Sequence, residues 1–201
     1  VAVAVVASLT ANSAAQPSTS ARSVLVINSY HPGYNWSDGE QAALLQTLVR
    51  ERPQLLPHIE YMDWRRFPDK SRSRVFLDQL QAKYGQSAFD VIVALDEPAL
   101  DLVLAERERL GRDVPVVFGG INDVAPVLQA RHPLLTGVAQ TYDFGGTLGL
   151  IRALQPELRR LLVVHCASES GLATRRNFDR YVASHQLPWE LSWKAGDWSG
   201  E

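Results

Sequence analysis

The sequence predicts a doubly wound α/β protein, and three observations point that way. Val24-Leu25-Val26-Ile27 is an unbroken run of β-branched and aliphatic residues that stops at Asn28-Ser29-Tyr30-His31, as in a strand buried on both faces of a parallel sheet. Strand-like runs then alternate with segments whose apolar residues recur at helical spacing, the pattern of successive βα units. The same alternation starts again beyond Pro156, which predicts a second lobe.

Each element has its own signal. Strand one covers 24–28, and the turn-rich Pro32-Gly33-Tyr34-Asn35 leads from it into a helix over about 37–50. Ala42, Leu44, Leu45, Leu48 and Val49 lie at helical spacing in that helix. Pro53 and Pro57 bound a loop, and His58 to Trp64 reads as strand two. Asp69 is the expected N-cap of a helix carrying Val75, Phe76, Leu77, Leu80 and Tyr84. Phe89 to Leu95 is strand three, and Pro98 opens a helix that runs to about Leu110 and stops at Gly111. Pro115 to Phe118 is strand four, closed by Gly119-Gly120; a short helical stretch near 124–130 precedes strand five at 134–139. A helix from Phe144 to before Pro156, a strand at 161–166, a helix at 169–185 and a strand at 189–194 follow. A lone β-α-β unit is too small to bury its faces, so this second lobe is expected to be incomplete.

The ends and the composition narrow the possible roles. Val1 to Leu9 is apolar, and Ser13-Ala14-Ala15 places small residues where a secretory signal is cut before Gln16. The run falls short of the roughly 20 apolar residues that span a bilayer; a frayed Ala-rich arm is the alternative. The expected organisation is a signal-peptide remnant at 1–15, a leader at 16–23, a first α/β lobe at 24–140, and a crossover and truncated second lobe at 141–201. Twenty basic and 22 acidic residues leave a formal charge of −2 with no basic stripe, which argues against nucleic acid as a partner. The single Cys166 ends an apolar run and reads as a small buried hydrophobe.

In an open parallel sheet, ligands sit beyond the carboxyl ends of the strands. Strand one delivers Ser29, Tyr30 and His31 there, with Tyr34 and Trp36 close behind; strand two ends in Asp63. Strand three delivers Asp96 and Glu97, and strand four delivers Gly119, Gly120, Asn122 and Asp123. Ser168, Ser170 and Gly171 lie at the strand-to-helix turn of the second lobe, where helix N–H groups favour a carboxylate. Two acids able to hold an amine, a set of hydroxyl and amide groups and three aromatic rings suit the holding of a small molecule. Structural roles stay open for several of these residues. Asp96 can cap the next helix, Asn122-Asp123 can be a turn, and His31 before Pro32 can be a turn residue. Trp36 can pack on the first helix, and Asp63 can pair with a nearby arginine at the surface. No G-x-S-x-G, H-E-x-x-H, G-x-x-x-x-G-K or G-x-G-x-x-G motif occurs at the relevant positions. The five histidines lack metal-site spacing, so neither metal nor cofactor is expected.

On the segments VLVINSYHPGYNW, YMDWRR, FDVIVALDEPAL, PVVFGGIND, LLTGVAQTYDFGGTLGLI and LLVVHCASESG, the chain resembles the ABC-transporter substrate-binding-like family with a type I periplasmic-binding-protein fold. The branch it is most similar to serves as the periplasmic sensor region of bacterial sensor histidine kinases. Gln140 stands where that resemblance would place an acid. The resemblance implies two doubly wound parallel-sheet lobes with a crossover near Gln140-Thr141-Tyr142, a small-molecule ligand in the cleft, and closure on binding. It also implies a periplasmic location, with a membrane-anchored kinase module as the downstream partner. Two other functions are carried alongside: a free-standing solute-binding protein whose partner is an ABC permease, and an α/β enzyme using Asp96 and His31.

Overall fold

The computed structural model describes residues 22–85, 89–125, 127 and 132–196. The expected signal remnant, most of the leader, and most of the helical stretch at 124–130 lie outside the described residues. Strands β1 (Arg22–Asn28), β2 (Leu55–Tyr61), β3 (Val91–Leu95), β4 (Val116–Ile121) and β5 (Leu135–Ala139) form one parallel sheet in the order β2-β1-β3-β4-β5. Its helices are α1 (Asn35–Glu51), α2 (Lys70–Tyr84), α3 (Glu97–Ala105) and α4 (Arg107–Leu110).

Period-two alternation divides each strand between two apolar layers. Leu25, Ile27, Ile92, Ala94, Val116 and Phe118 face Leu80 of α2 and Ala99, Leu100 and Val103 of α3. Val24, Val26, Val93 and Leu95 form the other layer, against Leu44 of α1. Both faces are thus covered, as an all-parallel sheet requires. The topology changes direction between β1 and β3, where ligands settle in sheets of this order.

Several boundaries differ from expectation for identifiable reasons. β1 begins at Arg22, inside the expected leader, because Arg22 and Ser23 pair with Leu55 and Leu56 and the Ser23 N–H donates to Asp90. β2 occupies 55–61 rather than 58–64. It is an edge strand, so Pro57 is tolerated despite lacking an N–H. The expected helix from 98 to 110 breaks at Glu106 into α3 and α4, where Arg107 turns inward and donates to the Arg112 carbonyl at 2.7 Å. In α1 the buried residues are Ser37 and Gln41, while Val49 is exposed. Asp69 caps α2 as expected, accepting from the Ser71 N–H at 2.8 Å.

Residues 140–143 connect this layer to α5 (Phe144–Leu154), followed by the parallel pair β6 (Arg160–Cys166) and β7 (Glu190–Gly196) around α6 (Glu169–Ser184). Leu148, Phe178 and Trp189 centre a separate apolar core. On β6, Leu161 and Val163 pack against that core while Leu162 and Val164 are exposed. Cys166 is half-buried with its Sγ 2.9 Å from the Ser168 hydroxyl, a more polar setting than its place in an apolar run suggested.

Candidate ligand-binding cleft

β1 and β3 run in register with Asn28 opposite Leu95, so the residues that follow them emerge side by side. Asn28 anchors this end of the sheet. Its side-chain amide donates to Gln41 at 3.1 Å, Gln41 in turn donates to the Tyr61 hydroxyl at 2.7 Å, and the Asn28 side-chain oxygen accepts from the Tyr30 N–H. Ser29, fully buried, donates to the Leu95 carbonyl at 2.6 Å and accepts from the Ala99 N–H at 2.8 Å. It thus caps the first turn of α3, a role the sequence left open for Asp96.

Asp96 occupies the N-cap position yet makes no capping hydrogen bond. Its backbone lies at φ 67 and ψ 168, a region that glycine alone adopts freely and that costs other residues roughly 1–3 kcal/mol. The residue is 2% exposed, and its Oδ2 has no hydrogen-bond partner. Glu40 of α1 comes in beside it, its own Oε2 equally unpartnered. The two carboxyls lie over Gly119-Gly120, where the pairing of β4 with β5 shifts register. A Cβ on Gly120 would sit 2.9 Å from Asp96 Oδ1 and 3.1 Å from Glu40 Oε2, and one on Gly119 2.7 Å from Glu40 Oε1. The glycine pair is what admits both acids to this place. Burial, together with the nearby Glu40 and Glu97, pushes the Asp96 carboxyl up to about 8. Burial and Glu97 likewise raise Glu40.

Tyr30, Tyr34, Trp36, Asp96, Asn122, Gln140, Tyr142 and Ser170 line an open cavity of about 220 Å³ between the two α/β units, with room for a compact organic molecule. Tyr30 and Tyr34 meet edge to face at 4.9 Å, while Trp36 is half-exposed. The Tyr30 hydroxyl lies 3.3 Å from that of Ser170 across the cleft, and its pKa is raised by burial and by Asp96. Tyr142 donates to the Asn122 side-chain oxygen at 2.7 Å. A larger hollow of about 480 Å³ lies between β2 and α2. Its one acid, Glu60, is already engaged by Lys83 and Tyr84 at 2.5 Å each.

Of the residues expected to contact ligand, Tyr30, Tyr34, Trp36, Asp96 and Asn122 line the cavity. The others are engaged elsewhere. Ser29 caps α3 and His31 turns its Nδ1 to the Pro32 carbonyl. Asp63 makes a two-pronged ion pair with Arg66, at 2.6 and 2.7 Å, at the outer surface. Glu97 accepts from the Asn122 backbone N–H at 2.6 Å and from Ser170 at 3.2 Å, bridging the two units. Asp123 accepts from Arg176 and Arg180 of α6, each at 2.9 Å. Burial alone would raise the Asp123 carboxyl, but the two guanidinium groups outweigh it and hold the group below the usual range. Ser168 caps α6, taking the Gly171 N–H at 3.2 Å. Gly171 packs so closely that a Cβ would lie 2.3 Å from the Cys166 carbonyl.

Glu40 is not marked as a site residue by its place in the sequence. Its only signal is a polar stripe at helical spacing, Ser37, Glu40 and Gln41 running into Leu44, which marks an inward face that is not apolar. Tyr142 and Gln140, placed by the sequence in the crossover, also line the cavity.

No protein-family model and no curated protein matches the chain. Solved structures do. The ABC domain from Streptococcus pneumonia in complex with L-Trp superposes with a TM-score of 0.59 at 18% identity, over 88% of this chain and 57% of that one. A ligand-free, open substrate-binding protein with adhesive properties from Clostridium difficile gives 0.56 at 11% identity, over 87% and 58%. A solute-binding protein of an ABC transporter from Rhodopseudomonas palustris, in complex with 3,4-dihydroxy benzoic acid, gives 0.56 at 12%, over 87% and 47%. This chain thus spans roughly half the length of each. At such identities the likeness speaks to architecture: the chain has the α/β fold of type I periplasmic-binding proteins.

Proposed function

We propose that this chain is the extracytoplasmic sensor region of a membrane-tethered signal-transduction histidine kinase. In this role it closes around a small molecule in the cleft and catalyses no reaction. The observation that carries the reading is the cavity at the β1/β3 switch, whose walls come from both α/β units. Occupancy of such a cavity is coupled to the relative position of the units, because a ligand touching both favours the closed arrangement by its differential affinity. The fold shared with solute-binding proteins supports ligand binding. The NSYHPGYNW and VVFGGIND segments support the sensor branch. His31, turned toward its own loop rather than toward Asp96, speaks against acid–base chemistry in the cleft.

The test is mass spectrometry of small molecules released from the denatured protein, followed by titration of the released compound into stripped protein. A single compound binding one to one, with contraction in small-angle scattering, is expected. Release of nothing, with no thermal stabilisation by any metabolite pool, would contradict the reading. Delivery to an ABC importer is the second reading, favoured by the solute-binding neighbours with which the fold is shared. Ligand-dependent autophosphorylation of a linked kinase supports the first role; ligand uptake that needs this protein supports the second.

A further inference from the structure

We propose that the cleft selects a protonated primary amine with an apolar body and no carboxylate. This rests on the ligand-binding reading above and names the ligand class for the same cavity. Asp96 lines the cavity, is almost wholly buried, and holds an oxygen with no donor. Glu40, beside it, has another. Buried acceptors left without donors are costly, and an ammonium group carries three N–H donors together with the opposite charge.

Among the described residues, no basic side chain lines the cavity. Arg65 lies over the Tyr34 ring at 4.9 Å and donates to its hydroxyl. Arg176 and Arg180 are both committed to Asp123. A carboxylate on the ligand would therefore meet the Asp96 carboxyl with no basic side chain in the lining to pair with. At the start of α6 the Gly171 N–H is already held by Ser168, and the Ser170 hydroxyl donates to Glu97. The apolar body is accommodated by Trp36, Tyr30 and Tyr142, whose ring faces also attract cations.

Asp96 faces Glu40 from α1, Glu97 from its own helix, Tyr30 from the β1 end and the Gly119-Gly120 backbone of β4. None of these is a cation. Its carboxyl, pushed up to about 8 by burial and the two acids, holds a proton at neutral pH, so an incoming ammonium displaces that proton. A neutral ligand would instead accept a hydrogen bond from the protonated acid, and asparagine, which also donates, separates the two cases.

The experiment is calorimetric titration of the protein and of Asp96→Asn with 2-phenylethylamine, 2-phenylethanol and 3-phenylpropionate. Runs at pH 7 use two buffers of different ionisation enthalpy. The expected result is binding of the amine with proton release, at least tenfold weaker binding of the alcohol and the acid, and at least a tenfold loss for the amine in Asp96→Asn. A melt of the variant no lower than that of wild type shows that this loss is not unfolding. Equal binding of the alcohol, or amine binding unchanged in Asp96→Asn, overturns the cation class while leaving a ligand cleft. Preference for the acid does the same. If none of the three binds, the amine class fails, and the released-ligand measurement decides separately whether the cleft binds anything.

Discussion

Asp96 concentrates backbone strain, burial and like charge in one residue, and each has a measurable consequence. An aspartate in an unfolded chain titrates near pH 3.9, whereas this one is pushed up to about 8. Between those values the folded protein keeps a proton that the unfolded chain has lost. Its contribution to stability is thus full below about pH 4 and is lost as pH rises through 8. Glu40, also raised, adds to the same slope. We expect the melting temperature of the ligand-free protein to fall from pH 5 to pH 8.5, and the fall to be clearly smaller in Asp96→Asn. A parallel pH profile for the two proteins would show that Asp96 ionises normally. The sequence made the acid at the end of strand three legible as a site candidate, because position along the chain places it at a strand end. Whether it also caps α3 was not legible. That depended on Ser29, distant in sequence, reaching the Ala99 N–H first.

At the scale of elements, α3 is held to the β1 end by Ser29 rather than by its own N-cap residue. Ser29→Ala removes a buried donor and acceptor and leaves the Ala99 N–H unpaired, a loss of about 1–3 kcal/mol. The expected result is a lower melting point, with ligand affinity of the folded protein within about twofold of wild type. A large loss of affinity without loss of stability would return Ser29 to the ligand contacts. The order of strands and helices could be read from periodicity because each strand is a short apolar run with polar ends. The edges of β2 and α3 could not. Pro57 sits within β2 only because that strand has a free edge, and α3 stops where Arg107 turns inward; both are tertiary facts. Glu40 was hidden for a related reason: an acid on an amphipathic helix reads as solvent-facing unless its neighbours are known.

For the whole molecule, contacts between the two α/β units pair α6 with the end of β4. Asp123 is 7% exposed at its side chain and takes both Arg176 and Arg180, while Asn177 donates to the Asn122 carbonyl at 2.5 Å. Removing both arginines leaves a buried acid unpaired, which is strongly unfavourable in this arrangement of the two units. The double variant Arg176→Ala, Arg180→Ala should therefore show a larger radius of gyration without ligand and weaker ligand binding. An unchanged radius and affinity would mean that these ion pairs do not govern closure. The most direct test of the central claim, that the strand-end cavity holds the ligand, is hydrogen exchange by mass spectrometry with and without the molecule released from the protein. Protection is predicted in four separate segments, 28–37, 95–99, 119–123 and 168–174, with little change at 76–83 beside the larger hollow. Protection confined to 76–83, or absent from the four strand-end segments, would contradict it.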